Sequence, residues 1–299
     1  AGCLLSRGCV YTGERDGNVE RNRMARKSKS PPSPVKETGA AERPKGDRIA
    51  KIMARAGLCS RREAERWVEQ GRVSVNGETL TSPAINVADL SSIRVDGAAL
   101  PGNDPPRLWR YHKPVDVMTT SHDPEGRPTI YDRLPKNLPR VMPVGRLDIN
   151  SEGLLLMTND GQLKRHLELP STGWRRRYRA RVYGRVDPAQ LAGLSRGVVV
   201  EGVRYAAIEA VLDSQEGANA WVTLTLREGK NREVRRVLTH LGYSVNRLIR
   251  TAYGPFQLGN LGRDEVEEVN RRALRDQLDA ETLTALGMRE ELGLANRRR

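Results

Sequence analysis

Gly145-Arg146-Leu147-Asp148-Ile149-Asn150-Ser151-Glu152-Gly153-Leu154-Leu155-Leu156-Met157-Thr158-Asn159-Asp160-Gly161 sets an aspartate directly after an arginine and between two aliphatic residues. Leu147 and Ile149 draw such a segment toward a core, where a lone carboxylate is costly to bury. An aspartate held there needs a cationic partner, and a paired, poorly solvated carboxylate is one way to build a nucleophile or general base. The residues alone also allow a plainer reading, a surface turn in which Asp148 caps the next element.

Working outward, Arg177-Tyr178-Arg179-Ala180-Arg181-Val182 alternates with period two. Tyr178, Ala180 and Val182 share the inward face, and three arginines share the face turned to water or phosphate. A second alternating stretch runs from Trp221 to Leu226. Asn231 is the expected N-cap of a helix whose Val234, Val237, Leu238 and Leu241 form the buried stripe and whose end is Gly242. Arg235 lies at the edge of that stripe, placed either as a surface charge or to grip a buried carboxylate bidentately. Short strands interspersed with helical patterns predict an α+β domain with a mainly antiparallel sheet. That domain is expected over residues 107–265, followed by a charged, solvated helix and tail over 266–299 that ends in Arg297-Arg298-Arg299.

On the other side, Ile49, Ile52, Met53 and Ala56 have helical spacing that Gly57 can end. Ser60 with Glu63 is a capping-box signature ahead of Ala64, Trp67 and Val68. Val73 and Val75 then lead into Asn76-Gly77, a strong tight-hairpin signal, and Ile93 to Val95 supplies a further strand. The pattern predicts a small helix-helix-sheet module over 48–100. It carries Arg48, Lys51, Arg55, Arg61, Arg62, Arg66 and Arg72 on its polar faces. Any one of these charges could merely solvate a helix, but seven together point to RNA phosphates. Residues 101–106, Pro101-Gly102-Asn103-Asp104-Pro105-Pro106, read as a linker about which the two units reorient. Residues 1–47 are polar and aperiodic, which reads as a disordered extension. Met24-Ala25-Arg26-Lys27 looks like a natural start, and Leu4-Leu5 is too short for a secretory signal.

A formal charge of +14 calls for a polyanionic partner. Nucleic acid is favoured over a membrane, because the longest aliphatic runs, such as Leu154 to Met157, cannot span a bilayer. With Phe256 the sole phenylalanine, the core must be aliphatic. Cys3, Cys9 and Cys59 show neither disulfide nor metal spacing, and the four histidines are scattered. A cytoplasmic protein without a structural metal is expected, acting as a monomer.

The run from Gly145 to Gly161 closely resembles the catalytic motif of the pseudouridine synthases that modify ribosomal RNA, the RsuA/RluB group. The resemblance extends to Tyr111-His112-Lys113-Pro114, to Asp123-Pro124-Glu125-Gly126-Arg127-Pro128-Thr129, to Arg177-Tyr178, and to Glu228-Gly229-Lys230-Asn231-Arg232-Glu233-Val234-Arg235-Arg236. With Gly254-Pro255-Phe256 it spans roughly residues 107 to 262. Leu58-Cys59-Ser60-Arg61-Arg62-Glu63-Ala64 and Gly71-Arg72-Val73-Ser74-Val75-Asn76-Gly77 likewise resemble the RNA-binding domain first known from ribosomal protein S four.

The resemblance implies an isomerase that breaks the glycosidic bond of a uridine, rotates the uracil and rejoins it through C5, with no metal or cofactor. It implies Asp148, Tyr178 and Arg235 as the catalytic set: Tyr178 packs on the target base, and Arg235 pairs with Asp148. Asp148 acts either as a nucleophile or as a base promoting elimination. Arg146 would enter the RNA stack or contact a phosphate. Lys113, Lys230, Asn231 and Arg232 would join the RNA contacts. Similarity to the RluB branch implies large-subunit ribosomal RNA or its precursor as partner. One departure stands out: Asp116 occupies the place of a glycine that usually follows the Lys-Pro pair, in a turn that Asp tolerates better than most residues. A noncatalytic RNA-binding assembly factor that keeps the fold is the alternative. A DNA-binding helix-turn-helix regulator would leave most of the chain unexplained.

Overall fold

A computed structural model describes residues 46–102 and 104–289 of the 299. Met24, Cys3, Cys9, nearly all of the expected extension and Arg297 to Arg299 lie outside the described residues.

The N-terminal module follows its local signals. Helix α1 (Ile49–Arg55) and helix α2 (Arg61–Glu69) meet a four-stranded sheet in the order Glu78–Thr79, Val73–Val75, Ile93–Val95, Ala98–Ala99. Both halves of the Ser60–Glu63 capping box form. Asn76 at φ 53° and Gly77 at φ 85° make the two left-handed steps of a primed hairpin turn between Val73–Val75 and Glu78–Thr79. Ile49, Met53, Ala64, Val68, Val73 and Ile93 are fully buried between helices and sheet.

Among the described residues, nine strands join the second sheet. Seven form its path: β1 (Leu108–Lys113), β2 (Glu152–Thr158), β3 (Arg176–Tyr183), β4 (Glu209–Glu216), β5 (Asn219–Leu226), β6 (Ser244–Tyr253) and β7 (Val266–Glu268). Their order is β4-β5-β3-β6-β2-β1-β7. All neighbours along it run antiparallel except β6 and β2, which are parallel. The fold is α+β with a mainly antiparallel sheet, as the alternation predicts. In β3, Ala180 and Val182 are buried against helix α3 (Glu233–His240) and its stripe, while Arg177, Arg179 and Arg181 are exposed. Strand β2 is apolar on both faces because both are covered. Leu154 and Leu156 enter one core and Leu155 and Met157 the other. No helix among the described residues is long and apolar enough to cross a membrane.

Two sequence expectations change. The segment after residue 265 is not simply solvated: β7 adds to the sheet edge, with Val266 opposite Tyr111. The short helices Arg271–Arg275 and Ala280–Ala285 follow, and Leu274, Leu278, Leu286 and Met288 lie buried with Leu154, Leu156 and Leu163. Its charges sit on the outer faces of elements whose few leucines complete a core. The linker, in turn, is fastened at its C-terminal end. Asn159 accepts from the Arg107 amide at 2.8 Å and donates to the Pro105 carbonyl at 3.0 Å. Arg55 of α1 meets Asp160 at 3.5 Å.

The parallel junction depends on Gly153. Its φ is 106°, and a Cβ there would sit 2.4 Å from the Arg250 carbonyl oxygen and 2.7 Å from the Arg250 nitrogen. Both neighbours are backbone of a central strand and cannot step aside. Gly153→Ala is therefore expected to cost about 3 kcal/mol or more, from the backbone conformation and the overlap together. An unchanged denaturant midpoint would show that β2 and β6 do not approach as described.

Candidate active site

The segment from Gly145 to Ser151 leads from a short strand (Met142–Val144) into β2, and it carries Asp148 along one wall of a cleft of about 620 Å³. A loop of this kind would be mobile without partners, yet every one of its residues is held through the main chain. Glu168 accepts from the Gly145 amide at 2.6 Å. Arg250 lies 3.5 Å from the Arg146 carbonyl through Nη1. The Thr119 hydroxyl donates to the Leu147 carbonyl at 2.8 Å and accepts from the Leu147 amide at 3.3 Å. The Asp116 amide donates to Ile149 at 2.8 Å, and Arg235 Nη2 donates to Asn150 at 2.7 Å. Asp116 has φ 61°, so the residue that replaces the expected glycine takes up the left-handed step itself.

Lys113 holds the remainder and departs from its expected role. It is fully buried rather than offered to RNA. Its ammonium donates to the carbonyls of Pro114 at 2.8 Å, Asp148 at 3.2 Å and Ser151 at 3.0 Å, which uses its three protons. Burial pushes its pKa down to about 8, against the opposing pull of Asp148, Asp116 and Glu152, while the neighbouring Arg250 adds to the fall. The alternation of β1 places Lys113 with Tyr111 and Trp109, a signal of burial that its charge conceals.

The Asp148 side chain keeps 32% of its surface exposed, so it is not the deeply buried carboxylate that its aliphatic neighbours suggest. Its recorded ion pair is with Arg232 Nη1 at 3.8 Å, not with Arg235. Arg235 points its guanidinium at main chain: Nη1 donates to Val245 at 3.0 Å and Nη2 to Asn150. Its pKa falls through burial and through Arg232, and Asp148 opposes that fall, so the carboxylate supports the guanidinium's charge from beyond ion-pair distance. The helix explains the exchange. It begins at Glu233, and the cap position belongs to Arg232 at φ 49° rather than to Asn231. The left-handed step turns Arg232 into the cleft toward Asp148.

Tyr178 is half-buried, packs against two cores and lines the cleft with Arg146 and Leu248. Lys230, Asn231 and Arg232 form part of the wall, and Lys230 is tied to the Arg204 carbonyl at 2.6 Å and to Glu228 at 2.8 Å. In the N-terminal module the seven cations divide. Lys51 pairs with Asp47 at 2.7 Å, Arg55 with Asp160, and Arg72 with Asp96 at 2.5 Å while stacking on Trp67. Arg48, Arg61, Arg62 and Arg66 are exposed with no partner among the described residues. Thr119, Glu168 and Arg250 belong to the site and escape a reading by motif, and Glu233, inside the quoted Glu228 to Arg236 run, joins them although the motif gave it no role. Only the inward parity of Arg250 between Leu248 and Ala252 hints at its place.

Residues 107–240 match the RNA pseudouridylate synthase family and residues 47–89 match the S4 domain. An uncharacterized RNA pseudouridine synthase of Rickettsia felis is 44% identical over 76% of this chain and 98% of its own length. The ribosomal large subunit pseudouridine synthase B of Yersinia pestis is 42% identical over 82% of this chain and 81% of its own. A crystal structure of a pseudouridylate synthase superimposes with a TM-score of 0.55 at 24% identity, over 77% of this chain and 99% of that one, which supports the fold. A cleft that presents Asp148 beside Tyr178, reached by motifs in this order and by relatives matched over most of their length, makes the chain a member of the RNA pseudouridine synthase family of isomerases, with an N-terminal S4 domain.

Proposed function

We propose that this protein isomerises a specific uridine to pseudouridine in large-subunit (23S) ribosomal RNA or its precursor, in the cytoplasm and as a monomer. The observation that carries the reading is the main-chain grip on Gly145–Ser151, which presents Asp148 into a cleft walled by Tyr178 and by cations. Family membership supports the chemistry, and the name of the Yersinia pestis relative supports the choice of RNA. A base inside a stem is out of reach of Asp148, so the uridine must be flipped into the cleft at a cost of a few kcal/mol. Tyr178 stacks on the uracil, Arg146 fills or holds the vacated stack, and Asp148 acts at the ribose or base as nucleophile or as base. The C1′–N1 bond breaks, C1′–C5 forms, and the C5 hydrogen is replaced as N1 gains one. Arg235 fixes the loop at Asn150 and adds positive potential at Asp148, while Arg232 supplies the direct pair. Residues 48–100 act as an RNA-binding unit through Arg48, Arg61, Arg62 and Arg66, 107–265 carry the catalytic machinery, and 266–289 complete its core.

Pseudouridine mapping of ribosomal RNA from cells with and without the gene tests the substrate. One large-subunit position should lose its pseudouridine and regain it on complementation with the wild-type chain but not with Asp148→Ala. A ribosomal map unchanged by the deletion would refute the substrate.

A further inference from the structure

Arg250 is 2% exposed, lines the cleft, and lies directly across the sheet from Tyr178 in the β3–β6 register. Cross-strand partners share a face, so a base stacked on the Tyr178 ring lies next to the Arg250 guanidinium. That guanidinium is only partly used. Nε donates to the Leu154 carbonyl at 2.7 Å, Nη1 reaches the Arg146 carbonyl at 3.5 Å, and its carbon stands 5.2 Å from the Tyr253 ring centre. Nη2 is buried without a hydrogen-bond partner. No carboxylate pairs with Arg250 among the described residues, and Lys113 close by is a second buried cation. Two buried cations close enough to oppose each other, one of them at the cleft with an idle donor, are expensive for the fold alone. A ligand carrying an acceptor would offset that expense.

We infer that Arg250 is a specificity residue for the target base, with Nη2 donating to a carbonyl oxygen of the flipped uracil. The inference rests on the proposed stacking of uridine against Tyr178. Uracil presents two carbonyl acceptors on its ring edge. Cytosine keeps O2 but replaces O4 with an amino donor that a guanidinium cannot accept from, so a contact at O4 would also reject cytidine at this position. The Leu154 bond holds the guanidinium in place through Nε, which leaves the far end of the fork to the base.

The test is a cycle between one side chain and one substrate atom. Single-turnover conversion is measured for transcripts carrying uridine, 2-thiouridine or 4-thiouridine at the target, with the wild-type chain, Arg250→Lys and Arg250→Met. Sulfur is the weaker acceptor. The wild type should therefore slow on one of the two thio substrates, on the order of tenfold. Arg250→Lys keeps the buried cation and its bond to Leu154 but has no second arm. It should be slower on uridine and should convert uridine and that thio substrate at nearly equal rates. Arg250→Met should do the same, and if it fails to fold the Lys variant decides. Equal thio effects in wild type and Arg250→Lys at both positions would overturn the inference and assign Arg250 to loop support alone. Failure of the wild type to convert the uridine transcript would instead count against the proposed function.

Discussion

Asp148→Ala is expected to lower single-turnover pseudouridine formation by more than about 10⁴-fold, because no other carboxylate is carried by the clamped loop into the cleft at Tyr178. Its stability should change little, by about 1 kcal/mol or less. The side chain is a third exposed, and its one ion pair, with a solvent-facing arginine at 3.8 Å, is of the weak surface kind. The grip on the loop acts through the carbonyls and amides of residues 145–151, which alanine retains. RNA affinity should persist as well, since Arg48, Arg61, Arg62 and Arg66 lie far along the chain and Arg177 and Arg181 stay exposed. Arg235 is bonded to Asn150 and Val245 rather than to the carboxylate, so losing Asp148 strands no buried guanidinium. The measurement is conversion rate together with denaturant midpoint and RNA affinity. Persisting conversion would remove Asp148 from the chemistry, and a large fall in midpoint would show that the carboxylate supports the fold.

What could be read in the sequence was whatever neighbouring residues decide among themselves. The Ser60–Glu63 box, the Asn76-Gly77 turn and the arginine alternation of β3 each follow from spacing of a few residues, and each forms as expected. The rest depends on partners distant in the chain. Lys113 reads as a phosphate ligand until the Asp148 loop brings it two carbonyls beside that of the adjoining Pro114. Whether Arg232 or Arg235 meets Asp148 turns on one left-handed residue at the start of α3, a single torsion that periodicity does not register. The leucines at 274, 278 and 286 are too sparse among charges to announce a core, yet they pack with Leu108, Leu154 and Leu156 of β1 and β2.

Lys113 carries the second large effect, and it runs in opposite directions for activity and for stability. Its pKa is about 8 in the fold, below the 10.5 of an unperturbed lysine. Between those values the unfolded chain keeps a proton that the folded chain has released, so stability rises with pH across this window, by up to about 3 kcal/mol for a shift of this size. Below pH 8 both states hold the proton and the contribution is flat. Activity should do the reverse. The ammonium spends three protons on the Pro114, Asp148 and Ser151 carbonyls, and the neutral amine has only two to give. Conversion should therefore fall as pH rises through about 8, while the wild-type midpoint gains on that of Lys113→Met over the same range. That variant has no group to titrate at this position, so its remaining activity, expected to be at least about 100-fold reduced because three buried carbonyls lose their donor, should lack the alkaline limb. Recording single-turnover rate and urea midpoint from pH 6.5 to 10 for both proteins separates the two signs. A limb that survives in Lys113→Met would belong to another group or to the RNA, and a midpoint difference that shrinks with pH would show that Lys113 is not buried as a cation beneath the Asp148 loop.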